Sequence, residues 1–457
     1  MKVKINMKNG NSTIKDLTIG SPLKLIVSFA LPLILGNLLQ QLYNFVDTMI
    51  VGHFLGVEAL AGVGATGSIN FLILGFCLGV SGGFAIPVAQ MFGAKDERRL
   101  RKFFANSIYL SLGISIVLAV LVSIFCRNIL EIMKTPSDVI DYSYVYILTI
   151  FIGIPITFFY NLLAGVIRSV GDSKTPLIFL MISTLINVVL DYVFISPFGW
   201  GIFGAAFATV LSQLISGVLC LRVIIKRFPI LHISKDEWAP DGGLMKILCG
   251  MGLPMGFQYS ITAIGSVILQ TSVNTLGSLA VAAMTAANKV NMIFISIIDS
   301  LGASMATYGG QNLGAGKIDR IKKGTLTASV LGIGYSVVAF CVMLIVGKPL
   351  ASLFIDSPHP QMLEMASLQI LTNSAAFIFL VFVNVLRFLI QGVGFSTFAI
   401  LAGVLEMIAR AIGGLWLVPK FGYIGACFSS PLAWVMADAF LIPAYIYVVK
   451  KLEKRIS

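Results

Sequence analysis

Charge is the scarce ingredient of this chain. Only 11% of its residues are Asp, Glu, Lys or Arg, against about 25% in soluble domains. A water-soluble fold of this composition could not cover its surface with polar groups, so that class is excluded. Histidine is scarcer still: His53, His232 and His359 fall in loops, and none neighbours a metal-ligand pattern. The six cysteines, Cys77, Cys126, Cys220, Cys249, Cys341 and Cys427, are scattered without a C-x-x-C pair and read as small apolar residues. Nucleophile elbows, phosphate loops and Ser/His/Asp constellations are missing, so neither an enzyme nor a cofactor is indicated. Gly-x-Gly strings such as Gly62-Val63-Gly64 lie inside apolar stretches with no preceding strand, which makes them packing residues. The short alternating segments of a membrane β-barrel are also missing.

Hydrophobic residues, by contrast, make up 57% of the chain. Apolar runs of roughly 20 residues recur from end to end, which predicts an all-α integral membrane protein. Twelve spans are expected, near 25–50, 57–88, 103–125, 143–165, 174–196 and 201–225, then 248–273, 280–308, 325–346, 366–391, 397–417 and 422–449. The net charge of +12 could suggest nucleic acid, but its distribution argues against that partner. Lysines and arginines precede span 1, crowd 95–102, 222–246 and 317–323, and close the chain at 450–455. The alternate loops hold only Arg127, Lys134, Lys348 and Lys420. This positive-inside pattern predicts a multi-pass plasma-membrane protein of a prokaryote with both termini cytoplasmic. The basic first 24 residues precede a long span without a small-residue cleavage site, so span 1 is expected to be retained.

The chain also repeats itself. Gln90-Met91-Phe92-Gly93-Ala94 returns as Gln311-Asn312-Leu313-Gly314-Ala315, each followed by a basic cluster. Ala30-Leu31-Pro32 matches Gly252-Leu253-Pro254, and Leu55-Gly56 matches Leu276-Gly277. Val170-Gly171 matches Val393-Gly394, and Phe198-Gly199-Trp200 matches Phe421-Gly422-Tyr423. Two halves of six spans each enter from the same side, so their pseudo-two-fold axis lies along the membrane normal. The expected division is a cytoplasmic segment 1–24, a first lobe 25–225, a linker 226–247 with a short interfacial helix, a second lobe 248–449 and a tail 450–457. Pro32 and Pro254 are expected to open the first span of each lobe.

Ionisable side chains inside a bilayer cost about 2.5–3.5 kcal/mol each on insertion scales, so each needs a reason. The candidates are Asp47, Asp191, Lys289, Asp299, Glu406, Arg410 and Asp438. Asn37, Gln41, Asn44 and Thr48 follow helical spacing and form a polar face ending beside Asp47. Asn187 and Asp191 are four apart on span 5, and Thr209 on span 6 could add a hydroxyl. An amide and carboxylates at one depth suit Na⁺, and a carboxylate also suits H⁺; two separate structural hydrogen bonds are the plainer reading. Glu406 and Arg410, again four apart, read as a structural ion pair. Gln258, Asn288 and Asn291 are candidates to line a second-lobe cavity. Lys289 and Asp299 are badly phased for a direct pair, and Asp438 has no evident partner.

With two six-span halves, the Gln-x-x-Gly-Ala motif after spans 2 and 8, and Asp47 beside Asn187-x-x-x-Asp191, the chain resembles the multidrug and toxic compound extrusion (MATE) family over roughly 20–450. The resemblance implies export of large, mostly cationic amphipathic compounds driven by inward Na⁺ or H⁺. It maps the family's first-lobe cation site onto Asp47, Asn187, Asp191 and Thr209. One branch also uses a Glu on span 7; here that span offers only Gln258 and Gln270, which favours the DinF-like branch over the NorM-like one. The expected partners are amphipathic small molecules and membrane lipids, and the chain is expected to act as a monomer without a cofactor beyond the coupling ion. The rival reading is a flippase for lipid-linked saccharides, which would want basic groups in the cavity; Lys289 and Arg410 are the only two basic candidates.

Overall fold

The computed structural model describes residues 14–133, 135–354 and 360–456. Lys2, Lys4, Lys8, Lys134 and His359 lie outside them. The described residues form helices without strands. Ten helices are long and apolar enough to cross a membrane, and two bent pairs bring the number to twelve.

In chain order the first lobe contains α1 (Pro22–Gly56), α2 (Glu58–Ala94), α3 (Glu97–Ile124), the pair α4 (Ile140–Ile152) and α5 (Ile154–Ser169), α6 (Lys174–Ile195) and α7 (Gly201–Arg227). The second lobe contains α8 (Gly242–Asn274), α9 (Ser278–Gly314), α10 (Ile318–Ser352), the pair α11 (Pro360–Ala375) and α12 (Phe377–Gly392), α13 (Ser396–Phe421) and α14 (Tyr423–Ile456). Two expectations need correction. Pro32 and Pro254 sit inside their helices, because α1 and α8 begin ten and twelve residues earlier, at Pro22 and Gly242. Ser21 and Asp241 precede those starts, and the Asp241 carboxylate accepts from the Gly243 and Leu244 amides. The linker forms two 3-10 turns, Pro229–Leu231 and Lys235–Trp238, instead of one helix.

The repeat is written into the backbone. Gly56 and Gly277 have φ of 86° and 94°, Gly171 and Gly394 of 91° and 94°, and Gly199 and Gly422 of 64° and 61°. Each pair is 221 or 223 residues apart, at turns where a side chain would be strained. The α4/α5 and α11/α12 bends are 48° and 49°. Pro155 stands at the first bend and no proline at the second, so lobe packing shapes the bend and proline only accommodates it.

The lobes meet along α2, α8 and α9 at the end of the molecule that carries the basic clusters. A Cβ on Gly79 would lie 2.6 Å from the Met255 carbonyl oxygen, and one on Gly83 2.5 Å from the Gly252 Cα. These glycines therefore allow the helix backbones to cross in contact. The two motif glutamines form a symmetric clasp. Gln90 Nε2 donates to the Gly392 carbonyl across the seam at 2.9 Å, and Gln311 Nε2 donates to the Ser169 carbonyl at 2.8 Å. Gly93 abuts the Gln311 backbone and Gly314 the Gln90 backbone. The segment before α1 closes over this clasp. The Leu17 amide donates to Gln311 Oε1 at 2.9 Å, Lys317 Nζ to the Thr18 carbonyl at 2.8 Å, and Arg320 to the Gly20 carbonyl at 2.9 Å. Between residues 43–70 and 262–296, among the described residues, no hydrogen bond or ring contact joins the lobes. The cross-lobe hydrogen bonds therefore gather toward the basic end, with Asn37–Ser300 and Ser260–Leu72 lying farther from it.

Candidate functional site

Tyr43 and Asp47 are one turn apart on α1, so they share a face, and that face is turned into the first lobe. Asn187 and Asp191 share a face of α6 in the same way, and both are buried. Asp47 is 7% exposed. The carboxyls of Asp47 and Asp191 are neighbours, with the Tyr43 and Tyr146 hydroxyls within electrostatic reach of both. Thr209 on α7 closes the ring, its hydroxyl 3.0 Å from that of Tyr43. Asp47 Oδ1, both Asp191 oxygens and both amide atoms of Asn187 are buried without a hydrogen-bond partner in the protein.

That pattern is costly unless something completes it. Two carboxylates in a low-dielectric interior repel when both are ionised, and unpaired buried oxygens forfeit their hydration. A proton shared by the pair removes the repulsion. Asp47, Asp191 and Asn187 offer oxygens that a Na⁺ ion could use, whereas the Thr209 hydroxyl is engaged with Tyr43 and the Ala205 carbonyl. The donor set fits a hard monovalent cation and carries no nitrogen or sulfur ligand.

The remaining polar residues of α1 have other duties. Asn37 Nδ2 donates to Ser300 Oγ of the second lobe at 2.9 Å. Gln41 is half-buried, while Asn44 and Thr48 are exposed, with the Thr48 hydroxyl bonded to the Asn44 carbonyl at 2.7 Å. Asn37 thus belongs to the seam, and among the described residues none of the four hydrogen-bonds the carboxylate pair.

In the second lobe the expected Glu406–Arg410 pair is present at 3.4 Å. It is one half of a triad, because Arg387 on α12 forms a closer ion pair with the other Glu406 oxygen. Arg387 also acts electrostatically on Asp299, Asp438 and Tyr259. Asp438 thus has a basic neighbour, although both of its carboxylate oxygens are buried without a hydrogen bond. Gln258 accepts from Gln391 Nε2 at 2.7 Å. Asn288 accepts from Gln369 at 3.1 Å, and Asn291 is buried with its amide unpartnered. Asn288 and Asn291 lie about three and two turns along α9 from Asp299. Lys289 Nζ stands 5.6 Å from the Phe354 ring centroid, apart from Asp299.

Sequence reasoning missed Tyr43, Tyr146 and Arg387. The tyrosines count as apolar in a hydropathy reading, though the four-residue step from Tyr43 to Asp47 was a usable signal. Arg387 lies within Phe-Val-Asn-Val-Leu-Arg-Phe-Leu-Ile and should have stood out as an arginine inside an apolar span. With it, the second lobe's basic candidates are Lys289, Arg387 and Arg410.

The MatE family profile matches residues 32–193 and 254–416, one stretch in each lobe. The probable multidrug resistance protein YoeA of Bacillus subtilis is 33% identical over 302 residues, 65% of either chain. The probable multidrug resistance protein YpnP of the same organism is 32% identical over 345 residues, covering 75% of this chain and 77% of that one. A crystal structure of a MATE in complex with MaL6 superposes with a TM-score of 0.90 at 21% identity, over 97% of this chain and 100% of that one.

Proposed function

The chain belongs to the MatE family of membrane transporters, and from that membership we propose that it exports amphipathic, mostly cationic compounds by alternating access, driven by inward flow of Na⁺ or H⁺ through Asp47 and Asp191. The observation that carries this reading is the buried set Asp47, Asn187 and Asp191, whose side-chain oxygens lack protein partners. A site of unneutralised carboxylates in the first lobe of a two-lobed bundle is suited to take up a cation and give it back.

The positive-inside pattern sets the basic end in the cytoplasm. In this reading the clasp is the closed inner gate and the lobes part on the outer side. A cation arriving from outside neutralises the carboxylate pair and lets α1 repack against α6 and α7. Asn37, ten residues and about 15 Å along α1 from Asp47, is bonded across the seam to Ser300. A shift of α1 would therefore be felt at the lobe interface. Coupling requires that cation and drug stabilise different states of the lobes. In this reading the protein works as a monomer, with its substrate cavity between the lobes.

The flippase alternative needs free basic groups for a lipid phosphate. Glu406 engages Arg387 and Arg410, and Lys289 sits over Phe354, so export is the better reading. Efflux of a cationic dye from proteoliposomes, under Na⁺ and H⁺ gradients imposed one at a time, tests it. Export driven by at least one gradient and lost in Asp191→Asn is expected. Equal export without any gradient would overturn the coupling.

A further inference from the structure

A cavity of about 420 Å³ lies apart from the lobe interface, on the membrane-facing flank of the first lobe. Its walls come from α3, the α4/α5 bend and α7, and its roof from the linker. The lining is almost wholly apolar, including Phe104, Leu112, Phe158, Leu162 and Ile225. Along α3 it runs from Phe104 to Ser115, eleven residues or about 16 Å. That is close to the depth of one leaflet's hydrocarbon, about 15 Å. The wall hydroxyl of Ser111 is buried and has no hydrogen-bond partner.

The mouth of the cavity has a different chemistry. Trp238 and His232 line it at the linker. Trp238 is held by Tyr109, whose hydroxyl donates to the Trp238 carbonyl at 2.9 Å. Tryptophan and tyrosine at this level mark the headgroup region. On α7, Arg222 and Lys226 are exposed and immediately flank the lining residues Leu221 and Ile225. An apolar slot one leaflet deep, with two exposed cationic side chains flanking its lining residues, is complementary to a negatively charged lipid.

We infer that this cavity is a binding site for an anionic phospholipid of the basic-end leaflet, with one acyl chain in the slot and the phosphate near Arg222 and Lys226. Calling that leaflet cytoplasmic rests on the orientation proposed above; the site itself does not. The lipid would touch the linker that joins the lobes, and so tie linker docking to the composition of the leaflet.

Native mass spectrometry of the full chain, released from nanodiscs of equal phosphatidylglycerol and phosphatidylcholine, tests this without any transport assay. Two basic groups near a lipid phosphate each contribute about fivefold, so wild type should retain phosphatidylglycerol in roughly 30-fold preference. Arg222→Gln with Lys226→Gln, both on exposed positions, should remove most of that preference. Ile225→Trp, at another exposed position, should narrow the slot and reduce retention of both lipids. Equal retention of the two lipids by wild type, or retention unchanged in Ile225→Trp, would overturn the site. Displacement of a cationic dye, with lipid retention untouched, in Ile225→Trp would reassign the slot to amphipathic drugs and overturn it equally.

Discussion

In the first lobe, Asp47 and Asp191 face each other among tyrosines, and their buried oxygens are left without protein donors. In the second lobe, Glu406 is held between Arg387 and Arg410. The backbones are close copies, down to paired positive-φ glycines and matching bends, so the fold did not dictate this difference. Side-chain chemistry on a duplicated frame did. A buried acid with arginine partners is already neutralised and has little to gain from a passing cation. A buried acid whose neighbour is another acid must take its neutralising charge from outside the protein. Under the proposed function, exchange falls to the first-lobe pair and cohesion to the Glu406 triad, while Asp438 keeps two buried oxygens without a hydrogen bond.

The sharpest break of that comparison is Asp191→Asn. It removes the carboxylate repulsion and leaves a neutral isostere, so the protein should fold at least as well as wild type. Gradient-driven export should fall to the level of protein-free liposomes, since no ionised Asp191 is left to exchange a cation. Wild-type export from folded Asp191→Asn would move exchange elsewhere in the molecule.

The second lobe should respond in the opposite sense. Glu406→Gln strands Arg387 and Arg410 in low dielectric, a cost of about 3–5 kcal/mol for a buried pair that loses one partner. Thermostability in detergent should drop steeply. Combining it with Arg410→Gln should cost less than the two single changes added, whereas simple additivity would contradict the pairing.

Much of this contrast was legible in the residues. Asn187 and Asp191 are four apart, and so are Glu406 and Arg410, and the twelve spans and the two-fold repeat stand in the hydropathy and the motifs. Within one helix, spacing fixes which side chains share a face. Arg387 was legible as an arginine in an apolar span, but its pairing with Glu406 was not, because that contact is made between α12 and α13 and depends on how they cross. Pro32 and Pro254 were misplaced as helix openers although the apolar spans already begin before them; a proline inside a membrane helix is tolerated where neighbours re-satisfy the backbone. The clasp was visible only as a motif; what Gln90 and Gln311 hold became clear with the lobes in place.

The clasp gives a smaller and more symmetric test. Each glutamine makes one equivalent bond across the seam, worth about 0.5–1.5 kcal/mol. Gln90→Ala and Gln311→Ala should both shift the lobes away from the inner-closed state, by up to about tenfold in population. Gln311 also accepts from the Leu17 amide, so Gln311→Ala should shift them further. Distances between spin labels on the basic ends of α2 and α9 would report it. An effect confined to one of the two glutamines would show that the seam has diverged as the ion sites have.

The smallest effect tests the principle of the second lobe at the basic end, in the linker. Glu237 accepts from Arg101 Nε at 2.7 Å and from the other guanidinium nitrogen at 2.9 Å. Arg101 holds the Glu237 carboxyl below its ordinary value, chiefly through those hydrogen bonds. A folded-state value depressed below the unfolded one contributes stability that is complete above the unfolded pKa, about 4.3 for glutamate. That contribution fades as pH falls through the folded value, because the proton then competes with Arg101. Between pH 7 and pH 5 the docking of the linker on α3 should therefore hold steady, and below about pH 4 it should loosen. Glu237→Gln should lack this acid-sensitive step, which hydrogen exchange of residues 234–238 would resolve from the titration of other carboxyls. An identical acid profile in Glu237→Gln would mean that the pair orients the linker without stabilising it.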